Sequence, residues 1–123
     1  MKQKLSYFLL ITVLAGFVTS ISATHQFHHP SEQIKFIQNA KNPGKLVYEQ
    51  YCANCHAEDP LIELNAPKFR HTLDWSKRLS QSEKTLLKHT LEGLNTMPPM
   101  GGCFECSEEL LKNAIIYMLP QKK

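Results

Sequence analysis

The four cysteines of this chain lie in two Cys-x-x-Cys pairs, Cys52 with Cys55 and Cys103 with Cys106. A histidine, His56, directly follows the first pair, whereas no histidine follows the second. Four cysteines permit three disulfide connectivities, and pairs with this spacing also occur in zinc sites and redox-active dithiols. Because a chain of 123 residues can bury only a limited apolar core, crosslinks or a group bound at these cysteines would strongly constrain its fold.

The N-terminal segment predicts export. Lys2 and Lys4 form a basic start, residues 5–18 are mostly apolar, and small residues lead up to Ala23. We interpret residues 1–23 as a signal peptide cleaved after Ser22 or Ala23. An uncleaved membrane anchor is the alternative, although the apolar stretch is shorter than the about 20 residues that span a bilayer. Export predicts a periplasmic protein whose cysteines are oxidised or covalently occupied.

Net charge excludes one class of partner. The chain has 14 Lys and Arg against 11 Asp and Glu, a formal charge of +3, and two of the lysines belong to the predicted signal peptide, which leaves +1. A charge this small is not that of a nucleic-acid binder. After the signal peptide we expect a tail and a short helix over 24–42, one domain over 43–120 and a C-terminal tail at 121–123.

Apolar side chains recur at helical spacing and no segment shows sustained period-two alternation, so the sequence predicts an all-α fold of three to five short helices. The predicted helices run from a cap at Ser31 to Gln38, from Pro43 to about His56, over 73–79, from a capping box at 80–83 to Gly93, and from a cap at Ser107 to just before Pro120. Residues 97–102, Met-Pro-Pro-Met-Gly-Gly, are predicted to form a loop, because proline lacks an amide donor and glycine is flexible.

The chemistry is concentrated in the segment Cys52-Ala53-Asn54-Cys55-His56. Two thiols three positions apart can each add to a vinyl group of one haem, while the imidazole of the next residue reaches the iron. The motif alone also occurs by chance. The export signal, the helix leading into the motif and the methionine-bearing loop at residues 97–102 favour covalent haem attachment.

On these residues the sequence resembles the class I cytochromes c, and among them the cytochrome c5 type, over roughly Pro43 to Leu119. The resemblance rests on Gly44 and Tyr48 before the Cys-x-x-Cys-His motif, Ala66-Pro67-Lys68, Trp75 and Arg78, Met97-Pro98-Pro99, and Gly101-Gly102-Cys103 with Cys106 before the last helix. It implies a small fold packed around one covalently attached haem. It also implies that the face carrying Gly44 and Tyr48 crosses the C-terminal helix.

The resemblance implies a set of haem-binding residues. Cys52 and Cys55 would form the thioether bonds, and His56 and Met97 would be the axial ligands of the iron. The backbone carbonyl of Pro67 would accept a hydrogen bond from the His56 ring and fix its orientation. The alternatives for the second axial ligand are Met100, which is disfavoured because Met97 directly precedes the two prolines as in the family, and, more remotely, His71 or His89.

The resemblance also implies two roles away from the iron. Trp75 and Arg78 would lie near the haem propionates, although a core tryptophan and a solvated arginine fit the sequence equally well. Cys103 and Cys106 would form a disulfide that holds the Met97 loop to the last helix.

The function that follows is electron transfer by a monohaem cytochrome, not an enzyme, between redox partners such as a membrane-bound reductase or a terminal oxidase. Contact with the membrane would be transient unless the leader is retained. Two alternatives stay open at this point. One is a haem enzyme or gas sensor with a displaceable distal ligand, and the other is a four-cysteine zinc or dithiol module.

Overall fold

The structure is a computed structural model that describes residues 29–121. The predicted signal peptide, most of the tail that follows it and the last two residues lie outside this range. The regular structure within the range is helical, apart from an isolated β-bridge between Leu94 and Met97. The prediction of an all-α fold is therefore confirmed.

The described residues form five helical segments joined by loops. They are α1 (Pro30–Gln38), a continuous segment at 43–56 formed by α2 (Pro43–Val47), a π-helical turn (Tyr48–Cys52) and α3 (Ala53–His56), then α4 (Thr72–Leu79), α5 (Glu83–Glu92) and α6 (Glu108–Met118). A 3₁₀ turn at Pro99–Gly102 precedes α6.

Side-chain caps define where three of the helices begin. The Asn42 side chain accepts a hydrogen bond from the Lys45 amide at the start of α2. Ser82 caps α5 and Ser107 caps α6 in the same way. Such caps satisfy amide groups that have no partner within the helix. The helix ends that the sequence placed at Gly93 and before Pro120 are also present.

Two predicted caps are wrong. Helix α1 begins at Pro30, with His29 rather than Ser31 at the capping position, because proline suits the first helical turn, where no amide partner is needed. Ser80 does not open α5. Its helical backbone, φ −71° and ψ −14°, places it at the end of α4, and its hydroxyl donates to the Lys77 carbonyl. A capping residue at a helix start needs an extended backbone, which Ser82 has.

The helix predicted from Pro43 to His56 is present, but it contains a π-helical turn. There the Ala53 amide donates to the Tyr48 carbonyl, five residues earlier. A π-helical turn adds one residue to the helix and so shifts the face on which the following residues lie. The shift occurs immediately before the Cys-x-x-Cys-His motif.

Residues 97–102 were predicted to form a loop, and the structure has a single 3₁₀ turn there. Its backbone is irregular, because Met100 and Gly101 have left-handed φ angles of 59° and 60°. The turn is therefore not a regular helix. Glycine adopts a positive φ without strain, which suits Gly101 to its place in the turn.

Helices α2 and α6 cross at close range through Gly44. A side-chain carbon at this position would lie 2.6 Å from the Asn113 carbonyl carbon and 3.1 Å from the Ala114 amide nitrogen. Glycine is the residue that permits this approach, and the predicted crossing of the Gly44 face over the last helix is confirmed. Around it lies the core cluster, formed by Ile34, Ile37, Val47, Cys103, Cys106, Leu110, Leu111 and Ala114.

A second, smaller cluster joins the motif-bearing helix to α4 and to the end of α6. Tyr48, Trp75 and Met118 are buried in it, with Phe69 and Tyr117 packed alongside. The Tyr48 and Phe69 rings stack with their centroids 4.8 Å apart. This aromatic cluster supports the residues that follow the Cys-x-x-Cys-His motif.

Candidate haem site

His56 is the last residue of α3 and the one buried polar or charged residue among residues 29–121, with 8% of its surface exposed. Its Nδ1 lies 2.8 Å from the Pro67 carbonyl oxygen. A carbonyl oxygen can only accept, so the proton of the neutral ring is on Nδ1. The Nε2 lone pair is then available to a metal, in the orientation that histidine ligands of metals show.

The environment of His56 keeps the ring neutral. Burial lowers its pKa most strongly, the hydrogen bond to Pro67 acts in the opposite direction, and the positive charge of Arg78 lowers the pKa further. A neutral imidazole is the form that binds a metal. Arg78 is half-buried, and its positive charge is one of the groups that disfavour the protonated His56 ring.

The structure brings Trp75 against His56. The two rings are nearly parallel, with an interplanar angle of 21° and centroids 6.4 Å apart. The indole N–H donates to the Lys68 carbonyl at 2.8 Å. The Trp75 N–H is thus bonded to the backbone in this structure, and Trp75 holds the loop that carries Pro67.

The two motif cysteines carry free thiols that are partly exposed. Burial, with a smaller effect from Cys55, raises the pKa of the Cys52 thiol to about 11. A redox-active dithiol needs a lowered thiol pKa, because the thiolate is the nucleophile. Cys52 therefore lacks the lowered pKa that a redox-active thiol needs.

The loop after the motif folds back onto it. The Ile62 amide donates to the Asn54 carbonyl at 2.9 Å, and the Phe69 amide donates to the His56 carbonyl at 2.6 Å. These bonds close the loop at both ends and present Pro67 to the His56 ring. Asn65, where the sequence departs from the small residue common in the family, has a left-handed φ of 53°.

Met97 and Met100 have different environments. Met100 packs against the core cluster. Met97 is half-buried, lies outside that cluster, and its methyl group is 3.8 Å from where a Gly101 side chain would begin. Two backbone hydrogen bonds with Leu94 close a tight turn before Met97. Of these two methionines, Met97 is therefore the one whose side chain does not pack against the core cluster.

Cys103 and Cys106 are joined in a disulfide, and both are buried in the core cluster. The disulfide lies between the Met97 loop and α6, in agreement with the role implied by the resemblance. It excludes a zinc site made of all four cysteines. Within residues 29–121 no group of three or more histidine, cysteine or carboxylate side chains is arranged to hold a metal ion.

The remaining histidines considered as ligands are on the surface or on another helix. His71 is exposed, with Nδ1 2.9 Å from an Asp74 carboxylate oxygen. His89 is half-buried on α5. Asp74 itself was missed by the sequence interpretation, although its position three residues after His71 at the start of a helix is a detectable signal.

The comparisons with known proteins agree with this geometry. Residues 39–118 match the family described as cytochrome c oxidase, cbb3-type, subunit III. Cytochrome c5 of Azotobacter vinelandii is 40% identical over 74 residues, which cover 58% of this chain and 86% of that protein. Cytochrome c-555 of Chlorobaculum tepidum is 31% identical over 84 residues, 65% of this chain and 75% of the relative.

A solved structure has the same fold. It belongs to an electron transfer complex of nitrite reductase with cytochrome c, and the superposed chain gives a TM-score of 0.55 at 36% identity, covering 61% of this chain and 88% of that chain. The fold and the site together define a small haem protein for electron transfer. The chain belongs to the class I c-type cytochromes and, within them, to the monohaem c5 type.

The residues present fit the haem c that this family carries. Two free thiols, an imidazole with its Nε2 available and an uncommitted thioether form a donor set suited to covalent haem with two axial ligands. Among residues 29–121 no helix has the length and apolar character needed to cross a membrane.

Proposed function

We propose that this cytochrome carries single electrons between exported redox partners, with Cys52 and Cys55 as the haem thioether residues and His56 and Met97 as the axial ligands. The observation that carries the proposal is the buried His56 ring, whose Nδ1–H is bonded to Pro67 so that Nε2 is the ligating atom. Haem c supplies an iron centre that accepts and returns one electron. The protein holds its ligands in place during this change.

Met97 is supported as the distal ligand by the packing of its neighbour. The half-buried Met100 side chain packs against the core cluster, and moving it to the iron would remove these contacts. Met97 is not among the side chains that pack against this cluster. A methionine paired with histidine raises the reduction potential relative to more basic ligands.

A non-enzymatic role follows from the same ligand pair. With His56 and Met97 as ligands, protein groups would fill both axial positions, so a substrate or gas would first have to displace one of them. The turn around Met97 is restrained by its hydrogen bonds with Leu94 and by the nearby Cys103–Cys106 disulfide. These restraints favour a carrier over an enzyme or gas sensor.

We assign Arg78 to the haem propionates. Its guanidinium is half-buried, it donates to the Asp74 carbonyl at 2.9 Å, and its charge acts on His56. A positive charge held at this place would offset the propionate charge. Trp75 would lie near the same propionates, and its indole N–H holds the Lys68 carbonyl.

The proposed partners are redox proteins of the periplasm, such as a reductase or a membrane-bound terminal oxidase. The structural relative found in a complex with nitrite reductase supports a protein partner. The export signal at residues 1–23 supports the compartment.

Separate replacement of the two methionines tests the ligand assignment. We expect Met97→Ala to abolish the weak absorption band of a methionine sulfur bound to ferric haem and to open the ferrous protein to carbon monoxide. Met100→Ala, the matched control, should retain the band while the free energy of unfolding falls by about 1–2 kcal/mol, because the side chain is only half-buried. If Met100→Ala alone abolishes the band, the assignment is refuted.

A further inference from the structure

Asp74 is connected to His56 through a single peptide group. The carbonyl of Pro67 accepts the hydrogen bond from His56 Nδ1 at 2.8 Å. The amide of the same peptide group, the Lys68 N–H, donates to the Asp74 carboxylate at 3.1 Å. A carboxylate is therefore bonded to one end of the peptide whose other end holds the ring.

We propose that Asp74 is a positioning residue that acts through the Pro67–Lys68 peptide to strengthen the hydrogen bond on His56 and so lower the reduction potential. The inference rests on the proposed role of His56 as an axial ligand. Asp74 touches neither the ring nor the iron-binding atom.

The physical basis is the polarisation of a peptide group. An anionic acceptor on the N–H repels electron density within the peptide group, so the density shifts onto the carbonyl oxygen. Hydrogen bonds in a chain polarise one another in this way. The more negative Pro67 oxygen then pulls harder on the His56 Nδ1 proton. A ring that is more strongly bonded at Nδ1 is a better electron donor at Nε2, and a better donor favours the oxidised iron.

The residue Lys68 is held at both its amide and its carbonyl, which keeps this connection in place. The Lys68 carbonyl accepts from the Trp75 indole at 2.8 Å, while the Lys68 amide donates to Asp74. The other oxygen of Asp74 lies 2.9 Å from His71 Nδ1. These bonds hold the carboxylate as an acceptor and keep it ionised at neutral pH, because the Lys68 amide, then His71, lowers the pKa of Asp74.

A purely structural role for Asp74 makes a different prediction. An acidic residue in the first turn of α4 interacts favourably with the helix dipole, and its bond to Lys68 closes the turn before the helix. That role would affect stability and leave the potential and the His56 ring proton unchanged. The two roles can be separated by measuring the potential.

The test compares two substitutions that each remove one negative charge from the same cavity. Asp74 and Glu63 both line a cavity of about 310 Å³ beside Cys55. Both substitutions replace a carboxylate by a neutral amide of similar size. Asp74→Asn does so at the residue bonded to the Lys68 amide, and Glu63→Gln does so at a residue outside the connection to His56. The probe is the haem-loaded protein, followed by spectroelectrochemistry and by the proton resonance of His56 Nδ1–H in the diamagnetic ferrous state.

We expect Asp74→Asn to shift the one-electron equilibrium toward the reduced form by about 3- to 10-fold, the upper limit being about 59 mV. The Nδ1–H resonance should move upfield as the bond to Pro67 weakens, and Glu63→Gln should change the equilibrium less than about 2-fold. Equal shifts in the two variants, or an unmoved Nδ1–H resonance, would overturn the proposal.

A second variant keeps the test decisive if Asp74→Asn folds poorly. His71→Ala removes a donor that shares the negative charge of the Asp74 carboxylate. The Lys68 amide still holds the carboxylate, which then carries more charge on the oxygen facing Lys68, so the equilibrium should shift in the opposite direction, toward the oxidised form. An unchanged equilibrium, or a shift toward the reduced form, overturns the proposal. Failure of the proposed function would differ, because the wild-type protein itself would then lack covalently attached haem or the methionine–iron band, and His56→Ala would leave its spectrum unchanged.

Discussion

Gly44→Ala tests the close crossing of α2 and α6. The added carbon would lie 2.6 Å from the Asn113 carbonyl carbon and 3.1 Å from the Ala114 amide nitrogen. Both atoms belong to the helix backbone and cannot rotate away as a side chain would. The two helices must separate, and the contacts of the core cluster next to the crossing would loosen.

The expected magnitude combines two opposing effects. Overpacking of a core costs about 1–3 kcal/mol, and a rigid backbone neighbour places this site at the upper end. Alanine recovers up to about 1 kcal/mol through its greater helix propensity. We expect the free energy of unfolding to fall by about 2 kcal/mol and the melting temperature by about 10 °C.

Guanidinium unfolding of the haem-loaded protein measures this change, with the midpoint and slope compared between variants. Lys45→Ala, an exposed position on the same helix, is the matched control and should change stability by less than about 0.5 kcal/mol. If Gly44→Ala differs from that control by less than about 0.5 kcal/mol, the reasoning about the helix crossing is refuted.

Three further predictions concern single contacts. Replacing Cys103 and Cys106 together by alanine should lower the free energy of unfolding by about 2 kcal/mol, since the closed loop is short; a loss below about 0.5 kcal/mol in guanidinium unfolding would contradict this. Trp75→Phe removes the donor to the Lys68 carbonyl and should cost about 1–3 kcal/mol by thermal unfolding, and an unchanged melting temperature would argue against the bond. The pKa of Asp74 lies below its ordinary value of 3.8, so its ionised form stabilises the fold above that pH. The stability difference between wild type and Asp74→Asn should therefore shrink as the pH falls below about 3.8, and a difference independent of pH would contradict the assignment.

The sequence predicted most of the helices because their signals are local. The cap at Ser107 lies within a few residues of the helix it starts, and so does the ending signal at Gly93. The errors at Ser31 and Ser80 have the same origin. Each serine lies close to a true helix boundary, but its neighbours determine where the helix begins or ends. Pro30 sets the start of α1, and the last turn of α4 includes Ser80 as its final capping residue.

The π-helical turn and the bonds around Asp74 could not be predicted in the same way. The turn at Tyr48–Cys52 is found where Tyr48 packs with aromatic residues distant in sequence, and no local pattern marks it. The link from Asp74 to His56 passes through a backbone peptide, which no side-chain motif records. The identity of the motif residues was predictable, whereas the contacts that orient them depend on the folded chain.

The most direct test of a His56 and Met97 electron carrier is the absorption spectrum of the exported protein, recorded oxidised and reduced and then under carbon monoxide. We predict covalently attached haem, the methionine-to-iron band in the oxidised spectrum, and a reduced spectrum that carbon monoxide leaves unchanged. Covalent haem that lacks the band and binds carbon monoxide readily when reduced would contradict the account.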